Sequence, residues 1–235
     1  MRIPRPAALA AALLAGVLTT SACSGGSDTS DGGDPTQLQQ RLTTAKGALD
    51  EAETIDIDLS TSSLPDGITG LLSAKGQGNH SPAFTGTVKV VTGGASIGAD
   101  VIATGGKVYA KTGFAPTFIA IDPASLKAPD PASLLSTDGG ISEVLVETEA
   151  LKDGGRSRDG KDVLRTIDGT LPGRVVTTII PSADQDASFS VSYRLDEDDH
   201  VRDATLSGPF YPGGADVTYT VSIQTSDTAI DVTAP

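Results

Sequence analysis

Apolar residues recur at every second position in segment after segment of this chain, a pattern that dictates sheet. Phe189, Val191, Tyr193 and Leu195 alternate with Ser188, Ser190, Ser192 and Arg194, and Val217, Tyr219, Val221 and Ile223 alternate with threonines and a serine. Ile55, Ile57 and Leu59 alternate with Asp56, Asp58 and Ser60. Successive side chains of a strand point to opposite faces, so each segment is dry on one side and wet on the other. Further strands are expected at Thr85–Val91, Thr117–Ile121, Val163–Thr170 and Val201–Leu206. One-sided alternation repeated this often implies an antiparallel sheet with a single dry face.

The stretch from Ala99 to Thr112 is specific enough to set a register. Gly105-Gly106 forms a two-residue hairpin turn. Ala103 then faces Val108 and Val101 faces Ala110 on one side. Asp100 meets Lys111 and Ile102 meets Tyr109 on the other, an ion pair and a mixed pair suited to water.

Helices interrupt the strands. Asp34 is a good N-cap ahead of Pro35, and Leu38, Leu42, Ala45, Leu49 and Ala52 form an apolar stripe at helical spacing. Leu64-Pro65-Asp66-Gly67 reads as a turn. Asp122-Pro123 and Asp130-Pro131 are expected helix starts. Ile141, Val144, Leu145, Thr148 and Leu151 predict a helix closing near Gly154-Gly155. Arg174–Ile180 fits either a strand or a short helix. The layout is α+β, a sheet whose apolar face is covered by helices inserted mid-chain.

The folded part has to hold together through an aliphatic core, since Trp is absent, only 4% of residues are aromatic, and there is one cysteine. That residue, Cys23, follows Arg2 and Arg5, an apolar run from Ala7 to Leu18, and the small residues Thr19 to Ala22. This is the layout of a secretory signal peptide, and the run is too short to span a bilayer. A cysteine directly after it resembles a lipobox, in which the thiol takes a diacylglyceryl group; Thr20 departs from the aliphatic residue that pattern prefers. The expected organisation is a signal peptide over 1–22, a lipid-anchored flexible tether over 23–34, and a single domain over 35–235. The tether spans at most about 38 Å, which would hold the domain at the extracytoplasmic face of the cell membrane.

Removing residues 1–22, with two arginines and no acids, takes the formal charge from −13 to −15. So acidic a chain without a basic patch excludes nucleic acid as a partner. The acidic run Asp196 to Asp199 before His200 lacks the glycine and distal glutamate of an EF-hand and reads as a solvated hairpin tip, so no metal is expected. There is no phosphate loop or dinucleotide fingerprint, and neither catalytic residues nor a cofactor are assigned. The loop Gly208–Gly214 carries Phe210 and Tyr211 between turn formers, suited to a plug on the sheet edge or to a lipid-touching rim.

The order of these elements resembles the LppX/LprAFG lipoproteins of mycobacteria and their actinobacterial relatives. The resemblance is carried by Gly86-Thr87-Val88-Lys89, Lys107-Val108-Tyr109-Ala110 and, most specifically, Asp130-Pro131-Ala132-Ser133-Leu134-Leu135 followed by Thr137-Asp138-Gly139-Gly140-Ile141. Gly169-Thr170-Leu171-Pro172 and Val232-Thr233-Ala234-Pro235 are similar to later landmarks of the family. The resemblance implies a strongly curved antiparallel half-barrel, similar to the LolA/LolB carriers, with helices across its concave face. It also implies an apolar cavity that takes the acyl chains of triacylated glycolipids or related long-chain lipids, moved from the inner membrane toward the outer envelope. A membrane lipid exporter is then a candidate partner. The cavity would be lined by Val88, Val90, Val101, Ala103, Val108, Ala110, Ile119, Ile121, Leu134, Leu135, Ile141, Val144 and Leu145. From the residues alone, the same face reads first as a solid core, as in a surface protein that binds another protein, and it is the resemblance that favours a cavity; a lipid hydrolase is a further rival.

Overall fold

The computed structural model describes residues 33–126 and 128–235. The expected signal peptide, Cys23 and the tether as far as Gly32 lie outside the described residues.

Helix α1 (Pro35–Glu51) begins as its sequence requires, with the Asp34 carboxylate accepting from the Thr36 amide at 2.8 Å. Leu38, Leu42, Ala45 and Leu49 form its buried stripe. On its flank Lys46 donates to Asp50 one turn on, at 2.5 Å, and lies 3.4 Å from Glu143, so those carboxylates hold its ammonium above the usual lysine range.

Among the described residues, eleven strands follow in two runs. The first is β1 (Thr54–Ser60), β2 (Gly70–Asn79), β3 (Ala83–Thr92), β4 (Ala95–Thr104), β5 (Lys107–Thr112) and β6 (Ile119–Ile121). The second is β7 (Glu149–Asp159), β8 (Asp162–Pro172), β9 (Ser188–Leu195), β10 (Val201–Gly208) and β11 (Val217–Ser226). Each run is an antiparallel meander, and the two join where the first strand pairs with the last: the order is β6-β5-β4-β3-β2-β1-β11-β10-β9-β8-β7. This is the antiparallel sheet expected from the alternation, open at both edges as the half-barrel implied by the resemblance requires. Register shifts in β2, β7 and β10 add local twist.

The predicted hairpin register is observed pair for pair. Asp100 faces Lys111, Val101 faces Ala110, Ile102 faces Tyr109 and Ala103 faces Val108. Gly105 and Gly106 both adopt positive φ, at 60° and 68°, which the tight turn demands. The outer-face ion pair forms at 3.0 Å.

The connections depart from expectation in three places. Helix α2 (Ile141–Val146) ends well before Gly154-Gly155, because β7 begins at Glu149, with Ala150 (φ 52°) in the register shift between Glu149 and Lys152. Thr148, assigned to the helical stripe, instead bonds the Val144 carbonyl and the Tyr193 hydroxyl, each at 2.9 Å. Asp122 and Asp130 do start helical turns, accepting from the amides of Ala124 and Ala132, but both turns are short 3-10 segments, Pro123–Leu126 and Ser133–Leu135. The ambiguous segment near Arg174 is helix α3 (Gly173–Ile179).

Candidate functional site

The two runs of strands build different inner faces. In the second run most inward positions are large and sealed: Ile167, Leu171, Phe189, Val191, Tyr193, Leu195, Tyr219 and Ile223 are buried, while Ala204, Leu206 and Val221 are half-buried. Burial pushes the phenol of Tyr193 well above its ordinary range, despite the hydroxyl of Thr148 beside it. In the first run the register lines up small residues. Ile57 faces Gly76, which faces Gly86, which faces Val101 and then Ala110. One step along, Leu59, Ala74, Val88, Ala99 and Thr112 form the next row.

That small-residue face is covered at one end only. Near the β2–β3 turn the side chains of neighbours fill the glycines: a β-carbon at Gly76 would come 2.6 Å from Cζ of Phe84, and one at Gly86 would come 2.9 Å from the same atom. Leu135 packs against Gly78 in the same way. His80 clamps this end, with Nδ1 2.6 Å from the Leu135 carbonyl and Nε2 2.9 Å from the Leu49 carbonyl of α1. Toward the other end Ile57, Leu59, Val88, Ala99 and Val221 are only half-buried. At the β6 edge Ile119 is 52% exposed.

The thirteen residues expected to line a cavity divide accordingly. Val101, Ala103, Val108, Leu135, Val144 and Leu145 are sealed in the core. Val88, Ile121, Leu134 and Ile141 are half-buried against it, and Val90 and Ala110 are intermediate. Val108 and Ile121 also border a cleft of about 740 Å³, closed on its other side by Pro123, Pro129, Asp130, Thr178 and Pro181. A second cleft, of about 600 Å³, borders Val88 and Ala99, but Thr87, Lys89, Asp100 and Lys111 make it mainly a feature of the polar outer face. The sequence reading overlooked Phe84, Ala74, Gly76, Gly78 and Gly86. Their signal was there: small residues at alternate positions 74, 76 and 78 mark a strand that something approaches closely.

Phe210 and Tyr211 form a plug. Phe210 is fully buried, its ring 5.0 Å from that of Phe189 and 5.1 Å from that of Tyr219. The Tyr219 hydroxyl donates to the Leu71 carbonyl at 2.6 Å, and the Leu71 amide donates to the Tyr211 oxygen at 3.1 Å. With its proton so used, Tyr219 accepts from Tyr211 across their 2.7 Å contact. The three bonds close a ring in which no donor is idle. Burial, and then the neighbouring Tyr211, raise the Tyr219 phenol far above its ordinary range.

The acidic run is the β9–β10 hairpin tip, as expected. Asp196 accepts from the amides of Asp198 and His200, and Asp199 pairs with Arg41 of α1.

Comparison with known proteins fits this architecture. LprF from Mycobacterium bovis superposes with a TM-score of 0.68 at 16% identity, covering 87% of this chain and 99% of that one. The Mycobacterium tuberculosis lipoprotein LppX superposes at 0.61 and 13% identity, covering 85% and 100%. At these identities the likeness speaks for the fold. A search of curated proteins finds no match. The sequence model of the LppX_LprAFG lipoproteins matches residues 34–234, spanning all the described strands and helices, and on that match this chain belongs to the LppX_LprAFG lipoprotein family.

Proposed function

We propose that this protein is a membrane-tethered, non-enzymatic lipid carrier of the cell envelope. Its cargo would be the acyl chains of a long-chain lipid or acylated glycolipid, and the small-residue inner face of β1–β6 would hold them. The observation that carries this reading is the contrast between the two halves of the sheet: mostly large, sealed side chains in one, and rows of glycine, alanine and valine, partly exposed away from the Phe84 end, in the other. A protein that needed only a solid core would have no reason to leave Ile57, Val88, Ala99 and Ile119 partly open to water. Each chain CH2 taken from water onto such a face gains about 0.8 kcal/mol. A bilayer offers a similar gain, so the protein's task is to shield chains between membranes, passing them outward, with a membrane lipid exporter as the candidate supplier. Cys23, carrying a diacylglyceryl group, would attach the chain to the extracytoplasmic face; two or more acyl chains hold where one is marginal. No described helix is long and apolar enough to cross a membrane.

A transfer assay tests carriage. The full chain, added between donor vesicles containing a fluorescent long-chain lipid and unlabelled acceptor vesicles, should speed transfer in proportion to its concentration. A rate no higher than spontaneous exchange would refute the carrier reading.

A further inference from the structure

We propose that the loop between β5 and β6, with Phe114 at its tip, is a membrane-contacting rim that inserts into the outer layer of a lipid bilayer. Phe114 is 89% exposed, an unusual position for a large apolar ring in a chain with only five phenylalanines. The loop is fastened. Thr112 and Ala115 exchange backbone bonds at 3.1 and 3.2 Å, and the Thr112 hydroxyl accepts from the amides of Phe114 and Ala115. A ring held outward by a pinned turn has little left to order on insertion, which favours binding.

Charge supports the same partner. This chain has 30 acidic residues, yet none lies from Val90 to Ala99 or from Thr112 to Ile121, and neither stretch carries a basic residue. The pairing of β4 with both β3 and β5 brings the β3–β4 turn and the β5–β6 loop to the same end of the sheet. The nearest acid on β4, Asp100, is paired with Lys111, whose ammonium sits 5.1 Å from the centre of the Phe118 ring. An acidic protein is repelled by anionic headgroups within a Debye length of about 8–10 Å. This end of β3–β6 can approach without that penalty. It is also where the inner face is open, at Val88, Ala99 and Ile119. The eleven residues between Cys23 and Pro35 reach at most about 38 Å, comparable with a ten-residue strand of about 33 Å, so an anchor at Cys23 leaves this end free to turn to the membrane.

The inference rests on the tethered part of the proposed function and not on its cargo. The chain contains no tryptophan, so Phe114→Trp creates a single reporter, with Lys161→Trp, in the exposed β7–β8 turn at the opposite end of the sheet, as its control. The full-length lipidated chains are reconstituted into vesicles of phosphatidylcholine and phosphatidylglycerol, with and without bromine on the acyl chains. Emission of the Phe114→Trp chain should shift to shorter wavelength and be quenched by the brominated lipid, while the Lys161→Trp chain shows neither. Equal, water-like emission from both chains would overturn the proposal. So would a blue shift that grows with protein concentration in the absence of vesicles, which would assign the rim to a second copy of this chain. Quenching that persists in a chain unable to transfer lipid would sink the carrier reading and leave the rim standing.

Discussion

The ring of Phe84 occupies the space that a side chain at residue 76 would need: a β-carbon on Gly76 would lie 2.6 Å from Cζ. One large residue thus closes the covered end of an otherwise small-residue face. Gly76→Val should force the ring out and press on the backbone as well, most closely at the Thr85 carbonyl oxygen and then at the Cα of Gly86, 2.8 Å from that β-carbon. Overpacking of this kind costs about 1–3 kcal/mol, read as a lower urea midpoint with unchanged slope. Phe84→Ala should cost about 3–5 kcal/mol through the void it leaves.

The cyclic network of Tyr211, Tyr219 and Leu71 is cooperative by construction. Tyr211→Phe removes both the donor to Tyr219 and the acceptor for the Leu71 amide, and should destabilise by about 1–3 kcal/mol. Tyr219→Phe should cost a similar amount. The double variant should lose less than the sum, because the second change removes a partner already stranded. Additive losses in urea unfolding would show that the three bonds act separately.

His80 ties α1 to the segment at Leu135 through two backbone carbonyls. His80→Ala should remove both contacts and cost about 1–3 kcal/mol. Hydrogen exchange should then quicken in the last turn of α1 and around Leu135, leaving β8 and β9 unchanged. Uniform acceleration across the sheet would mean that the clamp is not local.

Strands with large alternating side chains were legible in the sequence, and so was the hairpin from Ala99 to Thr112, because a two-glycine turn leaves one register. Strand β2 was not. Its inward positions are Ala74, Gly76 and Gly78, so its dry face has no hydrophobic signature, and its apolarity is supplied by Phe84 and Leu135 from elsewhere. Strand β7 was missed for another reason. It is an edge strand, largely exposed, with charges and glycines and little to alternate. Thr148 and Leu151 fell by chance at successive three-residue steps from Leu145, which extended the expected helix beyond Val146. The candidate face was half legible. The valines and alanines of β3–β5 were identified, but which of them are sealed and which open depends on where α1 and the 3-10 segments settle, and no local pattern encodes that.

Thr148 supplies a further check on the α2–β7 junction. Its hydroxyl is the hydrogen-bond partner of the buried Tyr193 hydroxyl. Thr148→Val keeps the shape and strands the phenol, at about 1–3 kcal/mol. Adding Tyr193→Phe should restore most of that stability.

The most direct measurement of the carrier account is the lipid that accompanies the protein. Full chains bearing Cys23→Ser, with and without Val88→Trp, would be expressed in an actinobacterial host and examined by native mass spectrometry. The account predicts a long-chain lipid bound to the first chain and a marked loss of it from the second, with both unfolding at similar urea concentration. A first chain that emerges empty, or a second that keeps its full complement, would contradict it.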